Sequence, residues 1–287
     1  MTGRGDLADT RADASPDGPA PTLLRRGLWW AGDYAYAVRQ QLGVLAPPWA
    51  IGRPRPTPAA WHRGDAERPE IYLLPGVYEH WTFLRPLGDA LAQAGHRVRV
   101  LHGLGVNRRG IAETADRLAR LLERRPAPAA GRVLVAHSKG GLIGKHVLVT
   151  TGAAARAAAA AAGGDDPAEA ASTASLTGDR PLGLLGMVAV ATPFGGSRLA
   201  GLFIDPSIRA FRPRNATIVM LGRETSVNGR IVSVFGPFDP HIPEGSALDG
   251  ATNVRVPTPG HFRVLGSATT QRAVVEGVAR LAQPSAD

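Results

Sequence analysis

Short apolar runs alternate with longer segments of helical periodicity from residue 70 onward. The runs are rich in Val, Ile and Leu, a pattern typical of strands that are buried on both faces. They lie at 71–74, 98–101, 132–136, 185–191, 231–235 and 253–256. Strands that alternate with helices favour a parallel sheet with helices on both of its faces, so the pattern predicts an α/β fold.

The segments between these runs are predicted to form helices. In one of them Ala115, Leu118 and Leu122 recur at helical spacing, whereas Arg117 and Arg124 fall on the opposite face. The predicted helices are 81–94, 112–125, 139–150, a segment near 206–211, another near 223–229, and 268–282.

Changes in composition divide the chain into three parts. Residues 1–21 contain a single Leu among Gly, Ala, Asp, Pro and Thr, which predicts a disordered tail. Residues 22–67 combine an aromatic, helix-periodic segment with a proline-rich connector. The main domain is predicted to span 68–287 and to contain a low-complexity Ala/Gly-rich insertion at 151–181.

The aromatic segment 22–45 allows two interpretations. We expect an amphipathic helix that packs on the main domain, and the alternative is peripheral docking on a membrane. The sequence has no uninterrupted apolar stretch of about 18 residues and no persuasive export signal. We therefore expect a cytoplasmic protein, with membrane contact through 22–45 as the alternative.

The charged residues give a basic chain. It has 33 Lys and Arg against 24 Asp and Glu, a net charge of +9, and only Lys139 and Lys145 are lysines. The arginines are spread along the chain, which favours a solvated basic surface and leaves an anionic lipid or acidic partner open. Aromatic residues make up only 6%, so we expect no nucleic-acid partner. The absence of cysteine excludes disulfides, thiolate metal sites and a cysteine nucleophile.

The strongest candidate for chemistry follows the third apolar run, in Arg132-Val133-Leu134-Val135-Ala136-His137-Ser138-Lys139-Gly140-Gly141-Leu142-Ile143. A buried strand that turns sharply into a helix is the setting of a nucleophile elbow. The residues two before and two after the nucleophile must be small, and Ala136 and Gly140 are small. The turn presents Ser138 at a helix N-terminus, which favours developing negative charge.

With this motif the sequence resembles the α/β-hydrolase superfamily, and within it the bacterial serine lipases and esterases, over residues 68–283. The usual family motif is Gly-x-Ser-x-Gly, and Ala136 replaces its first glycine here. Six strands are evident where the full family fold has eight, so we expect a trimmed sheet with a small or absent cap. The aromatic segment 22–45 is then expected to cover the exposed edge of the sheet.

The resemblance implies a chain order of serine, acid and histidine, each following a strand. Asp239 follows the run 231–235 and His261 follows the run 253–256, so they are predicted to complete a triad with Ser138. Two other acids, Asp205 and Asp249, remain rivals. His241 lies two residues from Asp239 and is interpreted as a rim residue or a satisfied surface histidine.

The resemblance also implies an oxyanion hole and a pocket. The two N–H donors are predicted to be those of Val77, in the loop after the first visible strand, and Lys139. We expect the Lys139 side chain to be solvated at the mouth of the site. Trp81 and Phe194 are candidate substrate-binding residues, with core packing as the alternative for Trp81.

The function implied is hydrolysis of small-molecule or lipid carboxylic esters, of lipase or esterase type, through an acyl-enzyme and without a metal or organic cofactor. An acyltransferase, thioesterase or amidase would use the same triad, so the fold does not separate them. A non-catalytic binding module on the same scaffold is the alternative from another class.

Overall fold

The computed structural model of the chain describes residues 22–42, 56–104, 106–161 and 181–283. Its strands are β1 (Glu70–Leu74), β2 (Val98–Val100), β3 (Arg132–His137), β4 (Leu184–Val190), β5 (Ile231–Phe235) and β6 (Thr252–Arg255). They form one sheet in the order β2-β1-β3-β4-β5-β6, and every neighbouring pair is parallel. The predicted six-stranded parallel sheet is confirmed. The first and last residues of each strand lie within about one residue of their predicted positions.

The α-helices of the described residues are α1 (Leu23–Leu42), α2 (Arg85–Gln93), α3 (Ile111–Glu123), α4 (Lys139–Ala161), α5 (Pro206–Arg209), α6 (Ala216–Arg223) and α7 (Ala268–Ala282). The predicted helix near 223–229 is wrong, because the helix precedes that segment and only the 3-10 turn Asn228–Arg230 lies within it. Asn215 begins α6, since its side chain accepts the N–H of Thr217 at 3.0 Å.

Successive residues of each strand pack into two separate hydrophobic cores, one on each face of the sheet. Tyr72 and Leu74 belong to a cluster that α3, α4 and α6 cover, whereas Ile71 and Leu73 belong to a cluster that α2 and α7 cover. Side chains that alternate across a strand reach opposite faces of the sheet. This explains why the strands read as continuous apolar runs, and it confirms the prediction of helices on both faces.

Helix α1 packs on the loops at the carboxyl ends of the strands. It lies against the 3-10 segments Trp81–Leu84 and Arg263–Gly266. The buried carboxylate of Asp33 accepts the N–H of Phe262 at 2.7 Å and that of Arg263 at 2.9 Å. The expectation that this segment covers an edge of the sheet is therefore wrong, because the edge strands are β2 and β6.

Parts of the predicted domain organisation lie outside the described residues, namely the tail 1–21, residues 43–55 of the connector and residues 162–180 of the insertion. Helix α4 continues past its predicted end at 150 to Ala161, so the first part of the predicted insertion is helical. No helix in the described part of the chain combines the length and the apolar character needed to cross a membrane.

Candidate active site

Ser138 occupies a sharp turn between β3 and α4. Its backbone is in the left-handed region, with a φ of 50°, which is a strained conformation for a residue with a side chain. A Cβ on Gly140 would lie 2.1 Å from the carbonyl oxygen of Leu74, and one on Gly141 would lie 2.1 Å from Oγ1 of Thr192. The turn therefore requires glycine at both positions, and it has the geometry of a nucleophile elbow.

Asp239 and His261 are hydrogen-bonded to each other. The Nδ1 atom of His261 lies 2.7 Å from Oδ2 of Asp239. The other carboxylate oxygen, Oδ1, accepts the N–H of His241 at 2.8 Å and that of Ile242 at 3.0 Å. Two backbone donors and one imidazole thus hold the carboxylate in place, and an ionised Asp239 fixes the N–H of His261 on Nδ1, which leaves Nε2 as a base.

The charges of this pair shift both pKa values. Burial by itself lowers the pKa of His261, but the charge and hydrogen bond of Asp239, together with the charges of Glu79 and Asp33, outweigh it and raise that pKa above 6.5. Burial by itself raises the pKa of Asp239, but His261 and the N–H of His241 outweigh it and lower that pKa below 3.8. The pair therefore favours an ionised Asp239 beside a His261 imidazole that accepts a proton readily.

Ser138 and His261 line one pocket of about 560 Å³ at the carboxyl ends of the strands. Val77 lines the same pocket. Its other walls are largely apolar and include Leu199, Leu202, Phe203, Ile208 and Phe211. The structure therefore brings the three predicted residues Ser138, His261 and Val77 to one cavity, with Asp239 hydrogen-bonded behind His261.

The loop after β1 contributes Val77 to this pocket, and the N–H of Val77 has no acceptor among the described residues. The N–H of Tyr78 also has none, whereas that of Gly76 donates to Oε2 of Glu79 at 2.6 Å. Lys139 is the first residue of α4, where a helix provides no acceptor for the backbone N–H. Both predicted donors are thus backbone groups that a substrate oxygen could bind.

The Lys139 side chain is not solvated, contrary to the sequence-based expectation. It is 1% exposed, and its Nζ donates to the carbonyl oxygen of Asn107 at 2.7 Å and to that of Arg109. Burial lowers the pKa of Lys139 to about 8, although the charges of Asp205 and Glu113 oppose the shift. The ammonium group therefore links the loop before α3 to the elbow through two hydrogen bonds. The larger guanidinium group of an arginine would not allow as close an approach.

The rival acids have other roles. Asp205 begins α5 by accepting the N–H of Ser207 at 2.7 Å, and it also accepts the hydroxyl of Tyr78. Asp249 is exposed. His241 lines the pocket with its ring 4.9 Å from that of His261, as a rim residue. It is not a satisfied surface histidine, because its Nε2 is buried without a partner in the described structure and burial lowers its pKa to about 4.

Two predicted substrate-binding residues lie elsewhere. Trp81 is 5% exposed and packs edge-on against Trp61, with ring centroids 5.4 Å apart. Phe194 belongs to the core cluster beside α4, and the Nζ of Lys145 lies 5.9 Å from its ring centroid. Neither residue lines the pocket, because both rings are used in packing the core.

Sequence reasoning also missed residues that the later argument uses. Trp30 and Tyr34 of α1 and Glu79 line the pocket, and Glu79 forms a buried pair with His137. The position of His137 gave a usable signal, since an imidazole at the end of a fully buried strand needs a polar partner. Within the described part of the chain, no group of three or more His, Asp or Glu side chains is arranged to hold a metal ion.

Comparison with known proteins supports the assignment of the fold. No protein-family model matches the chain, and no curated protein matches its sequence. The structure is similar to that of Aspergillus fumigatus lipase B, at 15% identity and a TM-score of 0.57, over 77% of this chain. The chain spans only 55% of the length of that lipase. It is also similar to mature Bacillus licheniformis lipase BlEst2, at 14% identity and a TM-score of 0.50, over 72% of this chain and 90% of the lipase.

Proposed function

We propose that this chain, which has the α/β-hydrolase fold, is a serine hydrolase of carboxylic esters, of lipase or esterase type. The observation that carries the proposal is the hydrogen bond between His261 and Asp239 beside the pocket that Ser138 lines. A strained elbow serine, a base and an orienting carboxylate form the arrangement that activates a hydroxyl as a nucleophile.

The mechanism follows from these positions. His261 Nε2 takes the proton of the Ser138 hydroxyl as the oxygen attacks the ester carbonyl, and Asp239 holds the resulting imidazolium at Nδ1. The N–H groups of Val77 and Lys139 bind the oxyanion, and loss of one such donor typically costs about 3–4 kcal/mol of transition-state stabilisation. His261 then protonates the leaving alcohol, and water attacks the acyl-enzyme with His261 as base again.

The walls of the pocket support a substrate with an apolar part. Aliphatic and phenyl side chains from the segment between β4 and α6 line the pocket, and so do Trp30 and Tyr34 of α1. Burial of hydrocarbon against such walls contributes about 0.8 kcal/mol for each CH₂ group. We therefore expect kcat/KM to rise along a series of esters as the acyl chain lengthens, until the pocket of about 560 Å³ is filled.

A set of p-nitrophenyl esters of increasing acyl length tests this proposal. The wild-type protein is expected to hydrolyse them, and Ser138→Ala is expected to lose activity by about 10⁶-fold. Matched thioesters, anilides and acyl acceptors separate the thioesterase, amidase and acyltransferase alternatives. Equal rates for wild type and Ser138→Ala would contradict the proposal and favour a binding module.

We also propose that the mouth of this pocket docks on an anionic lipid surface. Exposed apolar side chains lie on the two segments that contribute Trp30 and Leu202 to the pocket lining. Leu23 on α1 is 86% exposed, and Leu202 and Ile204 between β4 and α5 are 80% and 91% exposed. Arg25, Arg26 and Arg39 are exposed on α1, whereas Asp33, its one acidic residue, is buried. Basic groups beside an apolar surface favour an anionic membrane.

Sedimentation with vesicles tests this docking. The protein is expected to bind phosphatidylglycerol vesicles more strongly than phosphatidylcholine vesicles, and Ile204→Asp is expected to weaken binding. The matched control is Val219→Asp, because Val219 is exposed on α6 and does not line the pocket. Equal binding to both lipids, or equal effects of the two substitutions, would contradict the proposed surface.

A further inference from the structure

Glu79 and His137 form a buried pair that none of the proposed catalytic steps uses. Their side chains are 3% and 0% exposed. Nδ1 of His137 lies 2.7 Å from Oε1 of Glu79 and 3.0 Å from its Oε2. Nε2 of His137 lies 2.9 Å from the main-chain oxygen of His261. A buried polar pair with this many contacts calls for an explanation beyond packing.

The partners fix the protons of the His137 ring. The main-chain oxygen of His261 only accepts, so Nε2 of His137 carries a proton and donates it. Nδ1 of His137 is hydrogen-bonded to the carboxyl group of Glu79. The ring is therefore held at both nitrogens and cannot flip without loss of two buried hydrogen bonds.

The pair connects the three segments that carry the proposed chemistry. His137 immediately precedes Ser138 in the elbow. Glu79 accepts the N–H of Gly76, the residue before the proposed oxyanion donor Val77, at 2.6 Å. His137 donates to the backbone of His261 and packs under its ring, with centroids 4.7 Å apart. The positions of donor, nucleophile and base thus depend on one pair of side chains.

The close approach of Glu79 to its loop depends on Gly76. A Cβ on Gly76 would lie 2.8 Å from Oε1 and 2.9 Å from Cδ of Glu79. The absence of a side chain there lets the carboxylate fold back under its own loop and reach His137. Buried polar groups whose hydrogen bonds are satisfied make a core more rigid, which points to a geometric role for this pair.

Resting on the proposed hydrolase function, we propose that Glu79 and His137 are positioning residues that set the oxyanion loop and the base loop relative to Ser138. They act through Val77 and His261, and Glu79 also lines the pocket. A misplacement of about 1 Å at reacting atoms costs about 100-fold in rate, so the loss of this pair is expected to lower kcat and leave KM nearly unchanged.

Four variants assayed for kcat, KM and thermal unfolding test the proposal. His137→Phe and Glu79→Ala are expected to lower kcat by about 10–100-fold with KM within about twofold of wild type. Glu79→Gln is expected to keep kcat within about threefold, because its amide accepts from Gly76 and donates to Nδ1 of a neutral His137. This rescue by an isostere separates positioning from a loss of fold.

The matched control is His96→Phe. His96 is also a buried histidine, 2% exposed, whose Nδ1 lies 3.0 Å from the carbonyl oxygen of Pro69, at the opposite end of the strands from the pocket. Its substitution is expected to lower the melting temperature and to leave kcat within about twofold of wild type, because it removes a comparable hydrogen bond away from the site.

The outcomes separate this proposal from the proposed function. A wild-type protein that hydrolyses no ester overturns both. An active wild type whose His137→Phe and Glu79→Ala variants keep kcat within threefold overturns the positioning role alone. The positioning role is also overturned if kcat falls as much in Glu79→Gln as in Glu79→Ala, or as much in His96→Phe as in His137→Phe. If His137→Phe does not fold, the comparison of the two Glu79 variants decides.

Discussion

Nδ1 of His261 lies 2.7 Å from Oδ2 of Asp239, although 22 residues separate the two along the chain. The neighbouring parallel strands β5 and β6 explain this proximity, because Asp239 follows one and His261 follows the other at the same edge of the sheet. Loops at the carboxyl ends of parallel strands are the usual location of sites in open α/β sheets. The fold thus creates the pair before any substrate binds.

Replacement of Asp239 by Asn is expected to lower kcat by about 10⁴-fold, because the amide favours the wrong tautomer of His261. It is also expected to shift the pH profile. The base must be neutral, so kcat/KM rises as pH rises through the pKa of His261, which Asp239 raises above 6.5 in the wild type. Without that charge the pKa falls, and the acidic limb moves to lower pH.

A pH–rate series of the wild type and Asp239→Asn measures both effects. His62→Asn is a suitable control, because His62 is an exposed histidine in the segment before β1. An acidic limb at the same or a higher pH in Asp239→Asn would contradict the assigned pair.

Substitution of Gly140 by Ala is expected to lower the free energy of unfolding by about 3 kcal/mol or more. The added Cβ would lie 2.1 Å from the carbonyl oxygen of Leu74, and β1 is held by a paired strand on each side. Gly152→Ala is the matched control in the same helix. The nearest atom to its Cβ would be Nη1 of Arg156 at 3.4 Å, so this change is expected to stabilise by up to about 1 kcal/mol.

Urea unfolding of the two glycine variants gives the comparison. Similar stabilities for Gly140→Ala and Gly152→Ala would contradict the close contact between Gly140 and Leu74.

Substitution of Asp33 by Ala is expected to lower the free energy of unfolding by about 2–4 kcal/mol. The carboxylate accepts two part-buried N–H groups, those of Phe262 and Arg263, and each unsatisfied donor costs about 1–3 kcal/mol. Asp33→Asn keeps an oxygen acceptor and is expected to lose about 1 kcal/mol. Equal losses for the two variants in urea unfolding would mean that α1 is not anchored through these bonds.

The fold was predictable from sequence because the sheet is buried on both faces. Residues such as Ile71 and Tyr72 reach different cores, so each strand appears as an unbroken apolar run. Helix α6 was misplaced because its start depends on the side chain of Asn215, a local cap without a strong apolar periodicity around it. The pattern of apolar residues therefore indicated the sheet. The start of α6, by contrast, depends on a capping side chain.

The site was predictable only in part. Asp239 and His261 follow strands directly, so the order of the motifs indicated both positions. The pair of Glu79 and His137 joins residues 58 apart through the shape of a loop, which no local pattern encodes. Trp81 was a candidate for the pocket with core packing as the alternative, and its ring packs in the core against Trp61. Aromatic content alone does not tell which way a side chain faces.

Labelling with a fluorophosphonate, followed by mass spectrometry of the digested protein, tests the central claim most directly. The claim is that Ser138 is a nucleophile activated by His261. The expected result is a single adduct on Ser138 that is absent in Ser138→Ala and forms at least about 10³-fold more slowly in His261→Ala. No adduct on the wild type, or an adduct on a different serine, would contradict it.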